Sequence, residues 1–202
     1  MKYFSIPFLL VYTRLLLAPV MIVVSLQWGH PARFVLVGFI VLGLLTDVFD
    51  GIIARRMGIS SPFLRRLDSQ VDLIFWVSIA ISACIFDPNV FYDHRWACGA
   101  VVMTEVLCYL ISIIRFKRET CTHAFLSKLW GLCLLFFFIA SIGFGQGERY
   151  LHFTVVWGLI SQTDVMLIIL LLPKWQNDIP SSYHAWLIRR GIPIKRNKWL
   201  NG

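Results

Sequence analysis

The sequence predicts an all-α, polytopic integral membrane protein with six transmembrane helices. Three observations support this: the 202 residues are 58% hydrophobic, only 15% are charged, and long apolar runs recur along the whole chain. A soluble domain of this length would carry about 25% charged residues and about 45–50% apolar ones. The composition therefore excludes an ordinary globular domain, a disordered tail and a small disulfide-stapled module.

Six segments are long enough to cross the hydrocarbon core, which takes about 20 helical residues. They are residues 6–28, 34–54, 67–86, 96–114, 129–145 and 151–172. Arg14 interrupts the first segment and no small-residue cleavage site follows it, which predicts a retained span rather than a cleaved leader. We therefore expect residues 1–172 to form one six-helix transmembrane domain.

The remaining residues, 173–202, form a basic tail of different composition. Ser181 or Ser182 is placed to cap a short helix over residues 183–188. Its aromatic and basic side chains are typical of a helix that lies on an anionic leaflet. A disordered basic tail that only sets topology is the alternative.

The distribution of lysine and arginine predicts the orientation of the spans. Three of the 19 basic residues fall on one side of the predicted membrane, namely Arg33, Arg95 and Arg149, and all the others fall on the opposite side. Since positive residues stay inside, both termini and the second and fourth loops are expected in the cytoplasm. The formal net charge of +8 is thereby explained without a nucleic-acid partner.

Four aspartates lie where the second and third spans approach the cytoplasmic side. Asp47 and Asp50 are three residues apart, and Asp68 and Asp72 are four apart, so each pair shares one face of its helix. A short loop joins these antiparallel spans, which lets the two faces converge. Asp47 precedes Arg55 by about 12 Å along the helix axis, so the group lies shallowly below the surface. Charged side chains within the membrane are energetically costly, so these aspartates are candidate functional residues.

Four neighbouring carboxylates repel one another unless a cation holds them. Hard divalent ions prefer oxygen ligands, and no histidine or cysteine is interleaved here to indicate zinc, so one or two Mg²⁺ or Mn²⁺ ions are predicted. Gly51 and Ala54 remove bulk beside Asp50. Arginines surround the same predicted mouth: Arg14, Arg55, Arg56, Arg65 and Arg66. Metal and arginine together suit a phosphate or pyrophosphate substrate.

Residues 47–72 carry a spaced motif that resembles the signature of the CDP-alcohol phosphotransferase (CDP-alcohol phosphatidyltransferase) family. That signature is D-x2-D-G-x2-A-R-x8-G-x3-D-x3-D, and seven of its eight fixed positions match. The matching residues are Asp47, Asp50, Gly51, Ala54, Arg55, Asp68 and Asp72. The first span is also similar to the family's usual opening, with Ile6-Pro7 followed by Arg14 and Ala18-Pro19.

The resemblance implies an enzyme of phospholipid synthesis in which residues 1–172 are the catalytic domain. Such an enzyme transfers a phosphatidyl or other substituted phosphate group from a CDP-alcohol, such as CDP-diacylglycerol, to an acceptor alcohol and releases CMP. The implied metal ligands are Asp47, Asp50, Asp68 and Asp72. Asp72 is in addition the implied general base. The residues expected to bind substrate are Gly51, Ala54, Arg55, Ser69, Arg14, Arg115 and Lys128.

The acceptor is less defined by the sequence. Arg115 and Lys128 are placed to bind the phosphate of an acceptor such as glycerol 3-phosphate, or they are positive-inside anchors. A phosphatidylglycerophosphate synthase is one candidate, and synthases that use inositol phosphate or serine fit nearly as well. The family resemblance also implies a homodimer, for which Gly99, Ala100 and Ser112 on the fourth span permit close helix contact.

Three positions depart from the family pattern. Leu64 replaces the second glycine of the motif, and Phe8 and Val11 replace an asparagine and a threonine in the first span. The change at Leu64 leaves open a relative that binds nucleotide or lipid without turnover. The aspartates within the membrane leave open a cation-coupled transporter. A transporter would place its carboxylates near the bilayer midplane. Asp164 and Glu105, deeper in other spans, are expected to be structural.

Overall fold

The computed structural model describes residues 6–58, 62–118, 124–176 and 179–192, without the side chains of residues 55, 62 and 65. All regular structure in these ranges is helical. The eight α-helices are α1 (Ile6–Trp28), α2 (Arg33–Arg56), α3 (Pro62–Phe86), α4 (Pro88–Asp93), α5 (Arg95–Phe116), α6 (Phe125–Phe144), α7 (Gly147–Leu171) and α8 (Ser182–Arg189). A 3₁₀ turn over His30–Ala32 separates α1 from α2.

Six of these helices are long and apolar enough to cross a membrane: α1, α2, α3, α5, α6 and α7. They coincide with the six predicted spans to within a few residues, and the all-α, polytopic membrane fold is confirmed. Helix α4 was not predicted from the sequence. This helix has six residues, which is too short for a helical periodicity to be recognised.

The first of two compact units comprises residues 1–91 and 138–148. Within it α1 packs along both α2 and α3. Gly43 of α2 is required for the packing of α3, because a β-carbon at this position would overlap the ring of Phe75. The ring of Trp76 on α3 lies 6.2 Å from that of Phe138 in the second half of α6. The close approach at Gly43 thus brings together the two helices that carry the aspartates, α2 and α3.

The second unit comprises residues 92–137 and 149–202. Its helix α8 lies where the short tail helix was expected. The buried apolar residues around it are Ala124, Ile168, Leu172, Ile179 and Ala185. The backbone N–H of Ser182, the first residue of α8, donates to the Asp164 carboxylate at 3.0 Å. The start of the tail helix is therefore fixed to a buried side chain of α7.

Candidate active site

Three helices of the first unit each bring charged residues to one place. Helix α1 carries Arg14, α2 carries Asp47 and Asp50, and α3 carries Asp68 and Asp72. The spacings of three and four residues put each aspartate pair on one helix face, as predicted. Since α1 packs against both other helices, its arginine reaches both pairs. We call these five residues the ionic cluster.

The Arg14 guanidinium lies inside the ionic cluster and is 1% exposed. Its Nη1 donates to Oδ1 of Asp47 at 3.0 Å, and its Nη2 donates to Oδ1 of Asp68 at 2.6 Å. The same two nitrogens also pair with Asp72 and Asp50, respectively. All four carboxylates are thus held by one cation. A buried arginine without such partners would be very costly.

The four carboxylates differ in depth. The side chain of Asp50 is 6% exposed, whereas those of Asp47, Asp68 and Asp72 are 41%, 31% and 31% exposed. One carboxylate therefore forms the floor of the cluster and three form its open side. An ion or a phosphate that approaches from outside would meet the three more exposed groups first.

The donor set fits a hard divalent ion. Ligand oxygens of Asp47, Asp50 and Asp68 all lie within 4.8 Å of one another. Two oxygens on opposite sides of one Mg²⁺ are about 4.2 Å apart, so small side-chain rotations would bring all three onto one ion. The four carboxylates outnumber the single arginine that pairs with all of them, and the excess negative charge favours a divalent cation.

A group of buried apolar residues lies on the same three helices, about one turn from the charged residues. Its members are Phe8, Val11, Ala54, Leu64 and Val71, with Leu15 and Leu67 packed against them. We call this group the apolar cluster. It contains all three departures from the family pattern, namely Phe8, Val11 and Leu64. Leu64 is therefore part of the packing between α3 and α1, and its role is not confined to a nucleotide pocket.

The other residues of α2 and α3 that were predicted to bind substrate differ in burial. Gly51 is half-buried on α2, and Ala54 belongs to the apolar cluster. Ser69 is exposed on α3, and the side chain of Arg55 lies outside the described part of the structure. Their roles in substrate binding stay predictions.

Arg115 and Lys128 belong to the second unit. The Arg115 guanidinium donates to the backbone carbonyl of Leu172 at 3.0 Å, which ties the end of α5 to the end of α7. Lys128 is exposed in the first turn of α6. The contact made by Arg115 gives it a structural task, and binding of an acceptor phosphate by either residue stays a prediction.

The central position of Arg14 was not predicted from the sequence, which places this residue at the rim of the site. A signal was available: a lone arginine within an apolar span requires a carboxylate partner, and the nearest candidates were the four aspartates. The required partner was predictable, but simultaneous contact with all four groups was not.

A comparison with known proteins covers the residues of this site. The family model described as CDP-alcohol phosphatidyltransferase matches residues 4–170, which include all five members of the ionic cluster. No curated protein and no solved structure matches the chain. The chain belongs to the CDP-alcohol phosphatidyltransferase family, and with its six apolar helices it is a membrane transferase of phospholipid synthesis.

Proposed function

We propose that this protein catalyses the metal-dependent transfer of a phosphatidyl group from a CDP-alcohol, such as CDP-diacylglycerol, to an acceptor alcohol, with release of CMP. One observation carries the proposal. The motif's four aspartates converge on one point, and oxygens of Asp47, Asp50 and Asp68 lie within 4.8 Å of one another. Family membership supplies the class of donor and acceptor.

The ligands of Mg²⁺ or Mn²⁺ would be Asp47, Asp50, Asp68 and Asp72. When bound, the ion neutralises the diphosphate of the donor and stabilises the departing CMP. Asp50, the most deeply buried of the four, fixes the floor of the site. The more exposed carboxylates of Asp47 and Asp68 lie on the side from which the diphosphate would arrive.

Asp72 is the proposed general base. Its carboxylate takes the proton of the acceptor hydroxyl, and the acceptor oxygen forms a new bond to the phosphorus of the phosphatidyl group. The bond from that phosphorus to the bridging oxygen of the diphosphate breaks, and CMP leaves with the electron pair. Proton transfer by one positioned side chain contributes about 10²–10⁴-fold to such a reaction. The partial exposure of Asp72 leaves room for a hydroxyl beside it.

The site is proposed to open towards the cytoplasm, and the chain to act as a homodimer. The uneven distribution of lysine and arginine supports the orientation. Among the residues named for helix contact, Gly99 and Ala100 are exposed on α5, but the hydroxyl of Ser112 donates to the backbone carbonyl of Arg118. Support for the dimer therefore rests on the first part of α5.

The apolar cluster favours a second candidate function. Because Phe8, Val11 and Leu64 pack together, the polar and glycine positions of the family pattern are replaced as one group. A relative with this change would bind nucleotide or lipid without turnover. The ionic cluster would then be retained for binding alone.

The two functions are separated by measuring CMP release from the full chain in lipid nanodiscs. The substrate is radiolabelled CDP-diacylglycerol, and the acceptors are glycerol 3-phosphate, inositol phosphate and serine. We expect CMP only with Mg²⁺ or Mn²⁺ and with one of these acceptors, and none from Asp50→Asn. An absence of CMP with every acceptor, while Mn²⁺ is bound, would favour the second function.

A further inference from the structure

Arg14 occupies the space between the carboxylates of the ionic cluster. Its two terminal nitrogens divide the four groups between them, Nη1 with Asp47 and Asp72 and Nη2 with Asp50 and Asp68. Its Nε is buried and has no hydrogen-bond partner among the described residues. The guanidinium is therefore held only through its terminal nitrogens, and one buried donor gains nothing from this arrangement.

The Arg14 guanidinium and a divalent ion would both need the same space between the carboxylates. A divalent ion bound to Asp47, Asp50 and Asp68 must lie about 2.0–2.2 Å from an oxygen of each. A guanidinium that bonds the same three groups lies between them, at about 2.7–2.9 Å from their oxygens. The guanidinium and the ion therefore cannot both bind the same oxygens of these three carboxylates from the space between them.

We propose that Arg14 is an internal counter-ion that competes with the divalent ion for these carboxylates. Without the ion, Arg14 keeps four mutually repelling groups together and so preserves the site. With the ion bound, Arg14 gives up Asp47, Asp50 and Asp68, and its guanidinium becomes available for another anion. This inference rests on the proposed metal site, and it makes Arg14 a positioning residue as well as the substrate contact expected from the sequence.

A competing Arg14 and a purely supporting Arg14 predict opposite changes in metal affinity when the residue is removed. If Arg14 only held the site in shape, its removal would weaken metal binding. If it competes, its removal strengthens metal binding even though the metal-free protein becomes less stable. The direction of the change in Mn²⁺ affinity therefore distinguishes the two roles.

The test is a Mn²⁺ titration, followed by electron paramagnetic resonance, of the full chain in nanodiscs. Arg14→Gln removes the competing charge and is expected to lower the Kd for Mn²⁺ about tenfold, since hydrogen bonds to charged groups are lost by the competitor. Arg14→Lys, with one nitrogen in place of two, is expected to bind Mn²⁺ more tightly than the wild type but less tightly than Arg14→Gln.

The matched control is Arg33→Gln, which removes an equal charge from the exposed start of α2, at the opposite end of the helix from Asp47 and Asp50. We expect it to change the Kd less than about twofold, since exposed charges are screened. Thermal unfolding gives an independent readout. In chelator, Arg14→Gln should unfold at a lower temperature than the wild type, and Mn²⁺ should raise its unfolding temperature by more.

Every outcome of these measurements supports or overturns the proposed competition. A Kd in Arg14→Gln that equals or exceeds the wild-type value overturns the inference, and so does equal tightening in Arg33→Gln. If Arg14→Gln does not fold, Arg14→Lys carries the test, and binding no tighter than the wild type overturns the inference. Absence of Mn²⁺ binding in the wild type would remove the metal site itself, which is a failure of the proposed function.

Discussion

Buried charge is handled differently in the two compact units. In the first, four carboxylates converge on a single arginine. In the second, Asp164 is also buried but accepts a hydrogen bond from a backbone N–H of α8. Nearby, the buried Gln162 amide donates to the carbonyl of Val101 at 3.1 Å and to the Glu105 carboxylate at 3.0 Å.

The difference shows that a charged residue within a span does not by itself mark a catalytic site. Asp164 and Glu105 are single carboxylates that each accept a hydrogen bond from a neutral group, and these bonds connect helices of the second unit. The ionic cluster has more negative charge than its own arginine can balance. This excess of negative charge favours binding of a divalent ion.

Asp50→Asn is expected to have the largest effect on transfer. It removes the most deeply buried carboxylate and one of the proposed metal ligands, so both metal binding and Arg14 pairing suffer. Transfer from CDP-diacylglycerol should fall below detection, and further than in any variant of the general base. The assay is CMP release at saturating Mg²⁺. Activity close to that of the wild type would show that Asp50 is only a partner of Arg14.

Asp72→Asn should separate chemistry from metal binding. The variant loses the proposed base, and turnover is expected to fall about 10²–10⁴-fold. Three carboxylates remain for the ion, so the Kd for Mn²⁺ should change much less than turnover. Parallel measurement of both quantities is the check. If Asp72→Asn lost metal binding as completely as Asp50→Asn, Asp72 would be a metal ligand of the same importance as Asp50, and its effect on turnover would not identify a general base.

Leu64→Gly tests the apolar cluster. Loss of a buried leucine costs about 2–5 kcal/mol, and glycine within a helix adds about 1 kcal/mol. We therefore expect a marked loss of folding stability, with Leu64→Ala less affected. Leu73→Ala is the matched control on the same helix, because Leu73 is 62% exposed.

The competing expectation for Leu64 is that it obstructs the nucleotide. In that case Leu64→Gly would bind the donor more tightly, or turn over faster, at unchanged stability. Denaturant unfolding in detergent and competition by CDP separate the two outcomes. A Leu64→Gly variant that is stable and binds CDP more tightly would show that Leu64 lines the donor pocket.

Asp164→Asn should have the smallest effect. The amide oxygen of asparagine still accepts the Ser182 N–H, so the variant loses only the charge contribution, about 1 kcal/mol. Neither Mn²⁺ affinity nor transfer should change, and thermal unfolding should begin slightly earlier. A substantial loss of Mn²⁺ affinity would contradict the separation between the two kinds of buried charge.

Much of the fold could be predicted from the sequence because hydropathy alone determines which segments can span a bilayer. The motif spacing likewise predicted that the two aspartate pairs face one another. The position of Arg14 depends on the rotation of α1, which is apolar on most of its surface and gives no preferred face. The contact from Asp164 to Ser182 depends on a chain reversal after α7 that no local pattern encodes. The packing of Leu64 on Phe8 and Val11 is a tertiary contact of the same kind.

The most direct test of the metal site is the binding of Mn²⁺ to the purified full chain in nanodiscs, compared among the wild type, Asp68→Asn and Asp164→Asn. Saturable binding at one or two ions per chain is predicted for the wild type and for Asp164→Asn, with none for Asp68→Asn. Binding that survives in Asp68→Asn, or that disappears equally in Asp164→Asn, would contradict the assignment of the four converging carboxylates to a divalent ion.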